Sequence, residues 1–175
     1  MGLICLITYI SIMLVAAFLF RKSRPAVQIN AISSVLFVYS ILIAHLKGFS
    51  LKIASFDPTL LFLILPLLFQ ESEIDLPIAP STFIPIAFLL PFSEEVLFRG
   101  CLLRDIGLFW SSLIFSLLHL LNVLSGIEKF DFYPFLARFL AGMAFGIMVL
   151  QSGSLFPSIL CHAVVNALAF FSSRR

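Results

Sequence analysis

The sequence predicts an all-α, polytopic transmembrane helix bundle of about six or seven spans, with a catalytic layer within the last four. Three observations carry that prediction. The 175-residue chain is 61% hydrophobic and only 11% charged, whereas soluble domains carry about a quarter charged residues. So few charges cannot cover a surface facing water, which makes lipid the expected solvent. The apolar residues fall into seven long runs, and the segments between them are too short for a separate soluble domain.

The candidate spans are 3–20, 27–46, 58–70, 81–103, 108–124, 134–151 and 155–171, set against the roughly 20 apolar residues a helix needs to cross a bilayer core. Arg21, Lys22 and Arg24 follow the first run. A cleaved signal peptide has its charges ahead of its apolar run, so 3–20 is expected to be a retained span with a cytoplasmic C-terminal end. The third run is short and contains Pro66, but Asp57-Pro58 marks its start as an N-cap and first-turn pair. An acidic loop, Glu71-Ser72-Glu73-Ile74-Asp75, follows it. Pro85 and Pro91 predict a kink in the fourth run. Gly142 and Gly146 give the sixth a small-xxx-small face for close helix packing.

Basic residues set two alternatives for orientation. If all seven runs cross, Arg21, Lys22, Arg24, Lys129, Arg138, Arg174 and Arg175 lie inside, and Lys47, Lys52, Arg99 and Arg104 outside. If the third does not cross, everything after it inverts. The first arrangement obeys the positive-inside rule better. A net charge of +2 without a basic, aromatic-interleaved patch excludes nucleic acid as a partner. Cys5, Cys101 and Cys161 lack the paired spacing of a zinc ribbon or a disulfide framework.

Three places put polar side chains where lipid makes them costly: Ser93-Glu94-Glu95-Val96-Leu97-Phe98-Arg99, Phe115-Ser116-Leu117-Leu118-His119 and His162-Ala163-Val164-Val165-Asn166. A charge near a helix centre costs about 2.5–3.5 kcal/mol on insertion scales, so such residues usually face the bundle interior and serve a function. Counted from the face that holds loops 104–107 and 152–154, Glu94 lies roughly 13 Å deep, His119 roughly 16 Å, His162 roughly 10 Å and Asn166 roughly 16 Å. Three helices thus place four polar groups in one layer. Glu95 and Arg99 share a helix face and can pair, as can His162 and Asn166. Glu94 points about 100° away from Glu95. Phe115 sits one turn from His119. Measured from that face, the site opens outside with seven crossings and to the cytosol with six.

This set suits attack of water on a peptide carbonyl. A buried carboxylate makes a general base, a histidine can relay the proton, and a His/Asn pair can donate to an oxyanion. The alternative is a zinc site, since two histidines and a glutamate (Glu94, His119, His162) match the ligands of catalytic zinc in several hydrolases. Asn122 reads as an ordinary end-of-helix polar residue and His45 as interfacial.

Glu-Glu-Val-Leu-Phe-Arg-Gly at 94–100, Phe-xxx-His at 115–119 and His-xxx-Asn at 162–166 resemble the three signature motifs of the CPBP family. The run from Gly153 to Leu160 resembles it too. That family contains type II CAAX prenyl endopeptidases and bacteriocin-processing and immunity proteins. The likeness divides the chain into N-terminal helices 1–80, without signature, and a catalytic core 81–171. It implies that Glu94 and His119 activate water, that His162 and Asn166 stabilise the oxyanion, and that Glu95, Arg99 and Phe115 support them. The expected activity is an intramembrane endopeptidase of glutamic type, with no cofactor favoured and zinc as the alternative. Its expected partners are a membrane-associated peptide or protein substrate and the bilayer of the cell membrane. A non-catalytic immunity or scaffold protein is the competing reading.

Overall fold

The computed structural model describes residues 1–68, 79–124 and 130–172. The acidic loop 71–75, Lys129, Arg174, Arg175 and the Asn122 side chain lie outside the described residues. Helices start and stop where the sequence punctuates them. Helix α1 is Gly2–Leu19 and α2 is Pro25–Lys47. Pro25 opens α2 at a position that needs no backbone donor. Gly48 closes it at φ +61°, a left-handed conformation that glycine adopts without strain. Asp57 caps the third run by accepting the Thr59 N–H at 2.9 Å. A 3-10 turn, Pro58–Leu60, then leads into α3, Leu61–Leu68.

Pro80–Leu118 is a single apolar helical run of 39 residues. It contains a π segment at Pro85–Leu89, α4 at Leu90–Glu95, a second π segment at Val96–Leu102, and α5 at Leu103–Leu118. Where the prolines predict a kink, Pro85 opens the first π segment and Pro91 lies in α4, while the second π segment contains no proline. Gly107, at φ +82°, is not helical, and the chain folds back there, so the run makes two passes. The expected span 108–124 is not continuous. The His119 N–H bonds the Ser116 carbonyl at 3.2 Å, three residues back, which ends α5 one residue before His119. The short helix α6, Leu120–Leu124, follows. Helix α7, Phe132–Ser152, is capped by Asp131 and closed by Gly153 at φ +65°. Helix α8 is Phe156–Ser172.

Contacts sort the helix ends into two sets. At one end the Met1 amine pairs with Asp105 at 2.7 Å. There too the Leu155 N–H donates to the Ser50 carbonyl at 2.9 Å, and the Asp57 N–H to Gln151 Oε1 at 3.3 Å. At the other end Phe83 packs on Phe170 at 5.2 Å, and the Tyr133 hydroxyl donates to the Pro66 carbonyl at 3.2 Å. The chain therefore enters the third run at the Gln151 end of α7 and has changed ends by Phe83. Among the described residues, counting the two passes on either side of Gly107, it runs from end to end seven times. This favours the seven-crossing alternative over the inverted one. Large apolar side chains such as Phe18, Leu46, Phe62, Trp110 and Leu150 point outward, as expected of a membrane helix bundle. The three cysteines are free.

Helices α5 and α7 pack through small residues, as the glycine spacing predicts. A Cβ added to Gly142 would meet the Ser112 Cβ at 3.1 Å, Arg99 Nη2 at 3.3 Å and the Phe115 ring at 3.3 Å. At Gly146 it would run into Leu108. Ser116 Oγ donates across the seam to the Phe135 carbonyl at 2.6 Å. Cys5, Leu6 and Tyr9 of α1 and Leu36 of α2 pack on Leu97, Phe98, Cys101 and Leu102. The N-terminal helices thus brace the second π segment. Overfilling this seam should be costly. Gly142→Leu is expected to destabilise the bundle by about 1–3 kcal/mol, read as a lowered Tm in detergent. An unchanged Tm would refute the close packing described.

Candidate active site

Glu94 and Glu95 sit at the end of α4, between the two π segments. Single-turn π-bulges inside α-helices are frequently found at functional sites. One turn on, Arg99 Nη1 donates to Glu95 Oε1 at 3.0 Å, and both side chains are almost fully buried. Arg99 Nη2 donates to the Gly142 carbonyl at 3.2 Å, which Gly142 permits because it has no side chain in the way. The guanidinium lies 4.5 Å from the Phe115 ring centroid and 5.3 Å from that of Phe145. The expected Glu95–Arg99 pair therefore forms, and it also ties the long helix to α7.

His162 of α8 completes this chain of contacts. Its Nδ1 lies 2.9 Å from Glu95 Oε1, and its Nε2 lies 3.5 Å from Glu94 Oε2. Phe145 stacks on the imidazole at 5.0 Å with the rings 20° apart. Phe115 meets it edge-on at 5.8 Å and meets His119 edge-on at 5.1 Å. Phe115 is thus the ring shared by Arg99, His162 and His119. The His119 imidazole is held by that ring contact rather than by a hydrogen bond to a described residue. The two glutamates differ sharply in exposure, with 18% of the Glu94 side chain open and none of that of Glu95. The 100° separation of neighbours on a helix puts one in the support and the other at the rim.

Asn166 lies one turn beyond His162, as expected, but its amide is engaged. Nδ2 donates to the Ile86 carbonyl at 3.1 Å. One of its two N–H groups is thereby turned to the long helix instead of standing beside His162.

Sequence reasoning missed three participants. Phe145 had no polar signal. The Gly142 carbonyl is backbone and had none either. Arg138 did have one, because it is a charge inside the run 134–151, but it was counted with the loop charges. It stands one turn before Gly142 on the face of α7 that meets the site, close enough to act electrostatically on Glu94 and His119.

Among the described residues, no three His, Cys, Asp or Glu side chains group so as to hold a metal ion. Of the three candidate ligands, Glu94 and His162 meet at 3.5 Å, and His119 packs edge-on against Phe115.

Residues 76–168, more than half of the chain, match the family model described as "Rce1-like: Type II CAAX prenyl endopeptidase Rce1-like". Over 83 residues the chain is 35% identical to a Bacillus subtilis (strain 168) protein named "Uncharacterized protein YpbD", covering 47% of this chain and 41% of that one. The chain thus spans less than half the length of that curated relative. No solved structure matches it.

The buried pair makes a stability prediction that is independent of activity. Arg99→Met leaves Glu95 buried with its main partner gone, and should cost about 3–5 kcal/mol. The double variant Glu95→Gln/Arg99→Met should lose markedly less. Additive losses in unfolding experiments would show that the two side chains do not act as a unit.

Proposed function

Because the chain belongs to the type II CAAX prenyl endopeptidase Rce1-like family, we propose that it is an intramembrane endopeptidase that hydrolyses a peptide bond in a membrane-associated substrate. The observation that supports this best is the contrast within the glutamate pair. Glu95 is consumed by Arg99 and His162, while Glu94 stands at the partly open rim, 3.5 Å from His162. A structural ion pair explains Glu95. It leaves Glu94, in lipid, without a structural purpose that would justify its cost.

In the proposed reaction Glu94 takes a proton from water, with His119 sharing the task from across the Phe115 edge. The water oxygen bonds to the scissile carbonyl carbon, whose oxygen becomes an oxyanion. His162 Nε2–H and the second Asn166 N–H donate to that oxygen. The C–N bond then breaks, and the proton taken from water passes to the leaving amine. Arg99 and Glu95 take no part in bond making. They fix the His162 ring. No step is routed through a metal.

By the positive-inside rule the end carrying Arg21, Lys22 and Arg24 is cytosolic, and a prenylated C-terminus at the cell membrane would reach the bundle from that side.

Three results check this reading. Glu94→Gln and His119→Ala are each expected to lower cleavage of a prenylated C-terminal peptide by about 10²-fold or more, with unchanged thermal unfolding. Undiminished cleavage by both variants would instead favour a non-catalytic immunity or scaffold protein. A strong chelator should leave the rate unaltered, and loss of activity restored by zinc would revive the metal mechanism. A reporter placed after α8 should register the cytosol, and an external signal would invert the topology.

A further inference from the structure

We propose that Pro91 is a positioning residue, which withholds a backbone donor and so leaves the Ile86 carbonyl free to hold the Asn166 amide. In the first π segment the Leu90 N–H donates to the Pro85 carbonyl, five residues back. The next rung of that ladder would run from residue 91 to Ile86. Residue 91 is proline and has no N–H. The Ile86 carbonyl is therefore left without its helix partner inside an apolar bundle, where an unsatisfied carbonyl is costly. Asn166 Nδ2 supplies the missing donor at 3.1 Å from α8.

This contact does more than satisfy a carbonyl. A side-chain amide is planar, so anchoring one N–H fixes the plane and the direction of the other. His162, one turn earlier on the same face, is fixed separately by Glu95 and by the stacked Phe145. The two donors of the proposed oxyanion site are thus aimed by two anchors on the same helical run, Ile86 before Glu94 and Glu95 after it. In a regular helix Ile86 would be satisfied by its own backbone and would offer Asn166 nothing. The kinetic consequence rests on the endopeptidase reading, whereas the holding of the amide does not.

The test is Pro91→Ala, which returns an N–H to residue 91 and gives the Ile86 carbonyl a helix partner. The chain has three asparagines, Asn30, Asn122 and Asn166. In full-length protein labelled with 15N-asparagine in lipid nanodiscs, the side-chain amide pair lost in Asn166→Ala identifies Asn166. Its two protons should be well separated in the wild type and should move together in Pro91→Ala. With a cleavable peptide, Pro91→Ala should lower kcat by about tenfold to a hundredfold with KM nearly constant. It should have no further effect in the Asn166→Ala background. An Asn166 signal untouched by Pro91→Ala overturns the proposal, as does an equal kcat loss in the Asn166→Ala background. If the wild type cleaves nothing, the endopeptidase reading fails by itself, and the amide signal alone decides whether Pro91 sets Asn166.

Discussion

Everything in the site depends on one buried ion pair. Arg99 cannot be left uncompensated in lipid, and Glu95 cannot be left unpaired. Their bond along one helix face fixes both, and each has capacity to spare. Arg99 uses its second nitrogen on the Gly142 carbonyl of α7, and Glu95 accepts from His162 of α8. Two side chains one turn apart thereby lock three helices in register. The rings of Phe115 and Phe145 close around them, which keeps water out and keeps the pair strong. Glu94, on the neighbouring direction of the same helix, can then be exposed and reactive without disturbing the frame.

The division of labour between adjacent glutamates follows from helix geometry. Neighbours diverge by about 100°, so one faces the junction and the other the cavity rim. Had the two been separated by a full turn, both would have faced the same partner. The same logic spares Glu94 from Arg99 and lets it meet His162 through the other ring nitrogen.

Much of this was legible in the sequence, for identifiable reasons. Six of the seven expected spans start and, where the residues are described, end within two or three residues of the observed helical segments, because the apolar runs end at Gly48, Gly107, Gly153 or an Asp-Pro start. The Glu95–Arg99 pair follows from i, i+4 spacing alone. His119 in a turn was not legible, because nothing in Leu118-His119-Leu120 breaks a helix. The engagement of the Asn166 amide was hidden because its partner is a backbone carbonyl 80 residues away, and backbone leaves no trace in residue identity. Arg138 was legible as a charge inside the run 134–151, but it stands near the start of that run and was counted with the loop charges.

The two π segments carry a consequence for how such a chain can vary. Each is equivalent to one extra residue spliced into an α-helix. Removing one residue from Pro85–Leu89 would restore regular periodicity and would look harmless in composition. It would also rotate everything downstream by about 100° relative to everything upstream. Glu94 would swing toward the position now held by its neighbour, and Arg99 would leave the Gly142 carbonyl. In this helix the spacing of residues is therefore more constrained than their identity. Apolar side chains facing lipid can be exchanged freely, while a single deletion scrambles the site without touching any residue in it.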